Sequence, residues 1–224
     1  DTGGSVRLPS AFCGLTGLKV AKGRLPTDGI MPLSHTLDTP GPMARSVTDM
    51  RIMFEALLGT NGKEIEEKIK TQITEGDFSG EHGRKLRLAV INDKARRECC
   101  SQVLNHYDQV IKILQNRGAI VETYNPKIDF AEISERMGDI IAVEAYHHHG
   151  HLYENKANAM DEDVRQRVLK VKDYAASRYL NLLKDREESK KVFFNSIKRF
   201  DALIAPTTKE EAPLVVNVDQ SISP

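Results

Sequence analysis

Residues 85–125 constrain the fold of this 224-residue chain more than any other stretch. Lys85-Leu86-Arg87-Leu88-Ala89-Val90-Ile91 alternates and then turns apolar, the pattern of a strand. Glu98 to Arg117 carries Val103, Tyr107, Val110, Ile111 and Leu114 at helical spacing and stops at Gly118. Ala119-Ile120-Val121-Glu122-Thr123-Tyr124 is a second strand, closed by Asn125-Pro126. A strand, a helix and a strand of these lengths predict a parallel pair joined by a right-handed crossover, because parallel strands need a long connection.

The flanking sequence extends that unit. Met43 to Leu58 reads as a helix, with Ser46 and Asp49 in a capping arrangement and Gly59 as its stop. Asn61 to Arg84 is polar and charged, a surface connection with some helix. Helices are predicted over Glu132 to Glu154, Asp161 to Ala175 and Ser177 to Phe200. A short strand returns at Asp201-Ala202-Leu203-Ile204-Ala205-Pro206. The expected class is α/β: a mixed, largely parallel sheet flanked by helices, with a helical elaboration. Four segments follow, 1–59, 85–125, 130–200 and 201–206, within one partial domain spanning 1–224. No internal repeat, low-complexity tract or linker divides them.

Charge and cysteine usage narrow the function classes. Lys plus Arg and Asp plus Glu both number 32, so no net charge draws the chain to nucleic acid or an anionic membrane. No apolar run approaches the roughly 20 residues of a spanning helix. Cys13, Cys99 and Cys100 are an odd set without paired spacing, which argues against a disulfide framework and for a reducing, cytoplasmic setting.

The chemistry concentrates in Asp1-Thr2-Gly3-Gly4-Ser5-Val6-Arg7-Leu8-Pro9-Ser10. Two glycines let a backbone approach a ligand closely, and successive N–H groups in such a turn form an anion-binding concavity. A serine beside them has a ready-made place for an oxyanion. The sequence continues as Ala11-Phe12-Cys13-Gly14-Leu15-Thr16-Gly17-Leu18-Lys19, Gly23-Arg24 and Leu37-Asp38-Thr39-Pro40-Gly41-Pro42-Met43-Ala44-Arg45. Together these resemble the amidase signature family, whose pattern runs T-D-T-G-G-S-I-R-x-P-[AS]-x-x-C-G-x-x-G-L-K-P-T-x-G-R and then L-D-x-x-G-P-[MF]-[AT]-R. The match is dense from Asp1 to about Gly59 and looser beyond. It departs at Val6 for Ile and at Val20-Ala21 for Pro-Thr.

The resemblance implies an amidase-signature fold and an amidase that cleaves a carbon–nitrogen bond through an acyl-enzyme on Ser5, with no cofactor and no metal. It implies an oxyanion hole from the N–H groups of Thr2, Gly3, Gly4 and Ser5. The family activates its serine with a Ser–cis-Ser–Lys triad whose lysine and middle serine lie upstream of the D-T-G-G-S segment. A chain beginning at Asp1 is therefore expected to be a fragment, inactive in isolation, with further strands beyond Pro224. Asp1 and Arg7 flank the glycines with opposite charge and are expected to pair and brace the loop. The implied partners are a small-molecule amide substrate and either a second copy or the family's N-terminal part, with no nucleic acid and no membrane. Within the family the alternative is the glutamine-hydrolysing component of a tRNA-dependent amidotransferase, which takes ammonia from glutamine. No charged clamp for glutamine is identifiable.

Other features carry blander readings. Cys13 is expected to be a small buried hydrophobe, and Lys19 a structural residue, not a base. His147-His148-His149-Gly150-His151 has metal-ligand residue types, and His147 and His151 at i,i+4 could share an ion with Glu144 one turn earlier. Consecutive histidines point about 100° apart on a helix, so polar surface is the preferred reading. A metal-binding scaffold and a non-catalytic split fragment remain as alternatives. Asp161-Glu162-Asp163 is expected to open a helix, and Glu187–Lys191 to form an i,i+4 pair on a solvated face.

Overall fold

A computed structural model of the chain describes residues 1–65, 67, 79–80, 84–214 and 216. The sheet at its centre has the order β6-β5-β7, with β5 (Arg87–Val90) between β6 (Ile120–Thr123) and β7 (Ala202–Ile204). Both pairings are parallel, with Leu88 opposite Val121 on one side and Ala202 on the other. Leu88 and Ala89 are buried, as expected of a central parallel strand covered on both faces. The predicted strand–helix–strand unit is present. Its helix α4 (Ser101–Asn116) turns Tyr107 inward, where the hydroxyl donates to Ile204 O (2.8 Å) and accepts from Ile91 N (3.1 Å). One side chain thus locks the crossover helix to the ends of two strands.

The other strands are two-residue pairs, β1 (Thr16–Gly17) with β2 (Met43–Ala44) and β3 (Ser79–Gly80) with β4 (Arg84–Lys85), both antiparallel. The helix predicted from Met43 begins only at Val47: α2 is Val47–Leu57, and Met43 and Ala44 belong to β2. Ser46 caps α2 by accepting from Asp49 N (3.0 Å), which sets the boundary. A one-turn helix, α3 (Asp93–Arg96), follows β5 and was not expected. Most of the connection expected over Asn61 to Arg84 lies outside the described residues.

Three helices build the other half of the molecule: α5 (Phe130–Glu154), α6 (Glu162–Leu169) and α7 (Ala176–Ile197). Asp161 caps α6 by accepting from Val164 N (3.1 Å), so the acidic run opens the helix as expected. Ala145, Tyr153 and Val168 form a core between α5 and α6. Arg165, itself buried, donates to the carbonyls of Tyr153, Asn155 and Asn158 and so satisfies the C-terminal end of α5. On α7, Glu187 pairs with Lys190 (2.9 Å), an i,i+3 contact in place of the expected pair with Lys191. Among the described residues no helix is long and apolar enough to cross a membrane.

Candidate active site

The first helix, α1 (Arg7–Phe12), starts directly after the glycine–serine turn. Gly4 O accepts from Leu8 N (2.8 Å), so the turn supplies the first helical hydrogen bond. Gly4 adopts φ +149°, and a Cβ there would stand 2.7 Å from Leu8 Cδ1. Only glycine suits that position. Ser5 is exposed at the tip of the turn. Among the described residues, the N–H groups of Thr2, Gly3, Gly4 and Ser5 have no hydrogen-bond acceptor. Backbone donors without partners, beside a hydroxyl, are groups of the kind that can receive a negatively charged oxygen.

Carboxylates hold this turn from two sides. Asp1, whose side chain is fully buried, accepts from Val6 N (3.2 Å) and Arg7 N (3.3 Å) at the head of α1. The same carboxylate receives Arg7 Nε (3.1 Å) and Nη2 (3.0 Å) in a two-pronged ion pair. Asp38 grips from the other side. Its Oδ1 accepts from Thr2 Oγ1, and its Oδ2 from Leu33 N (2.8 Å) and Ser34 N (2.9 Å). Burial works to raise the Asp38 pKa, but the hydrogen bonds from Thr2, Ser34 and Leu33 outweigh it, and the group sits below its ordinary value. Thr39 completes the clasp: Asp1 N donates to Thr39 O (2.7 Å), and Thr39 Oγ1 donates to Asp1 O (2.7 Å).

The motif stretches Asp1–Lys19 and Leu37–Arg45 therefore meet in space. Leu18 N donates to Pro42 O (3.1 Å), and β1 pairs with β2. Gly41 lets the strands close, since a Cβ there would lie 2.4 Å from Leu18 O. Beneath them runs α5, whose Ile141 Cδ1 would stand 3.4 Å from a Cβ on Gly3. Leu33 and Ile141 also line a cavity of about 410 Å³ with Ala142, Ala145, Val164 and Val168, a largely apolar recess between α5 and α6 with Arg167 and Lys170 also in its wall.

One sequence expectation changes. Cys13 is exposed, not buried: α1 ends at Phe12 and Cys13 is its C-cap, whereas Val6 and Ser10 are the buried positions at this helix. The histidines do not converge on one point. His149 hydrogen-bonds Pro32 O (2.6 Å), while His148 meets the rings of His35 (5.6 Å) and His147 (5.1 Å) edge-on. Among the described residues no three His, Cys, Asp or Glu side chains are arranged to hold a metal ion. Lys19 donates to Val20 O (3.0 Å). Burial lowers its pKa, helped by Arg7 and Arg186.

Sequence reasoning missed two carboxylates that tie distant segments together around the turn and the residues 34–36 beside it. Asp38 was visible only as part of a motif, and Glu144 only as a neighbour of histidines. The signal to be found was an acid in the inward-facing stripe of α5, flanked by Ile140, Ala142 and Ala145.

The chain matches the Amidase family over residues 1–223 and belongs to it. A glutamyl-tRNA(Gln) amidotransferase subunit of Clostridium botulinum (strain Kyoto / Type A2) is 27% identical over 95% of this chain and 48% of its own length. The corresponding protein of Staphylococcus carnosus (strain TM300) is 25% identical over the same shares. The chain thus spans about half the length of the curated relatives it matches. Among solved structures, an amidase superposes with TM-score 0.80 at 23% identity, covering 96% of this chain and 45% of that one. A 6-aminohexanoate cyclic dimer hydrolase complexed with substrate gives 0.75 at 16%, covering 100% and 49%. These likenesses establish the fold: the parallel sheet and flanking helices are part of an amidase signature domain.

Proposed function

We propose that the protein hydrolyses a carbon–nitrogen amide bond through an acyl-enzyme on Ser5. The observation that carries this reading is the exposed Ser5 hydroxyl beside four backbone N–H groups without partners among the described residues, in a chain of the Amidase family. Ser5 Oγ attacks the amide carbonyl carbon and gives up its proton to a base. In the family pattern that base is a lysine acting through the middle serine, both upstream of the D-T-G-G-S motif. The carbonyl oxygen becomes an oxyanion and receives hydrogen bonds from the N–H groups of Thr2, Gly3, Gly4 and Ser5. The carbon–nitrogen bond then breaks and the amine leaves with the proton. Water adds to the acyl carbon, the acid departs, and a proton returns to Ser5. One missing oxyanion donor typically costs about 3 kcal/mol of transition-state stabilisation. Asp1 and Arg7 brace the donors by fixing the head of α1. The apolar recess at Leu33 and Ile141 suits the hydrocarbon part of an acyl group.

A second reading rests on the curated relatives, which are amidotransferase subunits. Glutamine would then be the amide donor, within a larger assembly. Both readings are tested on the whole protein with a fluorophosphonate probe, mass spectrometry and an amide panel that includes glutamine. Labelling of Ser5, lost in Ser5→Ala, supports the acyl-serine mechanism. Preference for aryl or aliphatic amides over glutamine selects the stand-alone amidase. An unlabelled Ser5 sinks both.

A further inference from the structure

Behind the nucleophile turn, α5 carries a buried charge that the hydrolytic reading does not use. Glu144 is 1% exposed, and it receives an unusual number of donors. Oε2 accepts from Ser34 Oγ and from Thr36 N (3.1 Å). Oε1 accepts from Thr36 Oγ1 (2.7 Å) and Tyr179 OH (2.7 Å), with His35 Nε2 at 3.6 Å. Most of these donors sit on one short strap, residues 34–36, and the remaining one comes from α7. Placing an ion in the interior costs more than placing an apolar side chain there, so stability alone does not account for it. A fully satisfied buried network does fix geometry.

What the network fixes is the support of the reactive turn. Ser34 touches Glu144 through its hydroxyl and Asp38 through its N–H (2.9 Å). Asp38 in turn holds Thr2, next to Gly3. One turn before Glu144 on the same helix, Ile141 abuts Gly3 directly. The helix therefore reaches the turn by two routes, one apolar contact and one chain of hydrogen bonds from Glu144 through Ser34 and Asp38 to Thr2.

We propose that Glu144 is a positioning residue for the Gly3–Ser5 turn, acting through the 34–36 strap and Asp38 to hold the oxyanion donors in register with the Ser5 hydroxyl. The inference rests on the hydrolytic reading of Ser5. A built-in comparison exists on the same helix. Asp139 is also a buried carboxylate, but its partners are Lys170 (2.9 Å), Tyr174 (3.2 Å) and Arg178 (3.2 Å), away from the strap.

The test uses the whole protein. The rate of Ser5 labelling by a fluorophosphonate, kcat and KM for an amide, and Tm are measured in Glu144→Gln, Asp38→Asn, the double variant and Asp139→Asn. Displacing a reacting group slightly from a distance is costly in rate, so Glu144→Gln is expected to slow labelling and kcat about tenfold or more with KM little changed. The double variant is expected to be no worse than its more damaged parent, because both substitutions break one chain. Asp139→Asn is expected to lower Tm while labelling proceeds at the parental rate. A Glu144→Gln protein that loses Tm but labels at full rate overturns the proposal, as do losses that multiply in the double variant. Should Glu144→Gln not fold, Tyr179→Phe removes one donor and leaves the strap in place. It must still slow labelling severalfold, and a full rate overturns the proposal. A parental Ser5 that resists the probe defeats the hydrolytic reading instead. Amide exchange at Leu33 and Ser34 then remains as the separate readout: faster exchange in Glu144→Gln supports the clamp, and unchanged exchange removes it.

Discussion

At Gly4 the backbone takes φ +149°, and any side chain would enter the space of Leu8 Cδ1. Gly4→Ala is therefore expected to displace the turn and cut Ser5 labelling about a hundredfold, the scale of losing one oriented donor. Circular dichroism should show the helices intact, since the strain is local. Ser10 points the other way. Its hydroxyl is buried without a hydrogen-bond partner among the described residues, and it sits against Gly17. Removing an unsatisfied buried polar atom relieves its desolvation, so Ser10→Ala is expected to be neutral or to stabilise by up to about 1 kcal/mol in chemical denaturation. Neither effect was legible in the sequence. The glycines of the motif could be read as close-approach positions, but which of them carries the positive φ depends on where α1 begins. Whether Ser10 finds an acceptor depends on what the Thr16–Gly17 strand brings next to it.

Among the elements, α4 shows how one tyrosine can tie a crossover. Tyr107→Phe keeps the ring but leaves Ile204 O and Ile91 N without their partner. The expected cost is about 1–3 kcal/mol, read as a lower denaturation midpoint with secondary structure unchanged. The apolar stripe that contains Tyr107 was visible from the sequence, because helical periodicity is a local property. The partners of its hydroxyl were not, because they lie 16 and 97 residues away. The same limit explains the helix predicted from Met43. Apolar spacing continued back to that residue, yet pairing of Met43 with Gly17 claims it for β2, and the Ser46 cap starts the helix later. Long-range pairing overrode a local pattern there, while at Asp161 the local cap and the fold agreed.

Across the whole molecule, three carboxylates join segments far apart in sequence: Asp38 to Thr2 in the glycine–serine turn, Glu144 to the 34–36 strap and α7, and Asp139 to the α6–α7 region. In each, burial works to raise the pKa and hydrogen bonds or cations overcome it, leaving the group below its ordinary value. A lowered folded-state pKa means that the unfolded chain takes up the proton first as pH falls. The stabilisation is thus present above the ordinary carboxyl values of about 4 and is lost as pH drops through the folded ones. Stability measured by denaturant titration is expected to be flat near neutrality and to fall below about pH 4 to 5, with a shallower fall in Glu144→Gln. A stability that stays level into that acid range would contradict the network described. The sequence by itself determined the alternation of strands and helices, the capping pair Ser46 and Asp49, the helix opening at Asp161, and the membership of Asp1 to Arg45 in one motif set, since periodicity, capping and turn chemistry act over a few residues. Tertiary structure alone decided that Cys13 is exposed, that Asp38 bonds both Thr2 and the backbone at Ser34, and that Glu144 bonds the 34–36 strap and Tyr179. Those outcomes depend on which surfaces meet after the chain has closed distances such as the 110 residues between Ser34 and Glu144, and no local pattern encodes such a meeting.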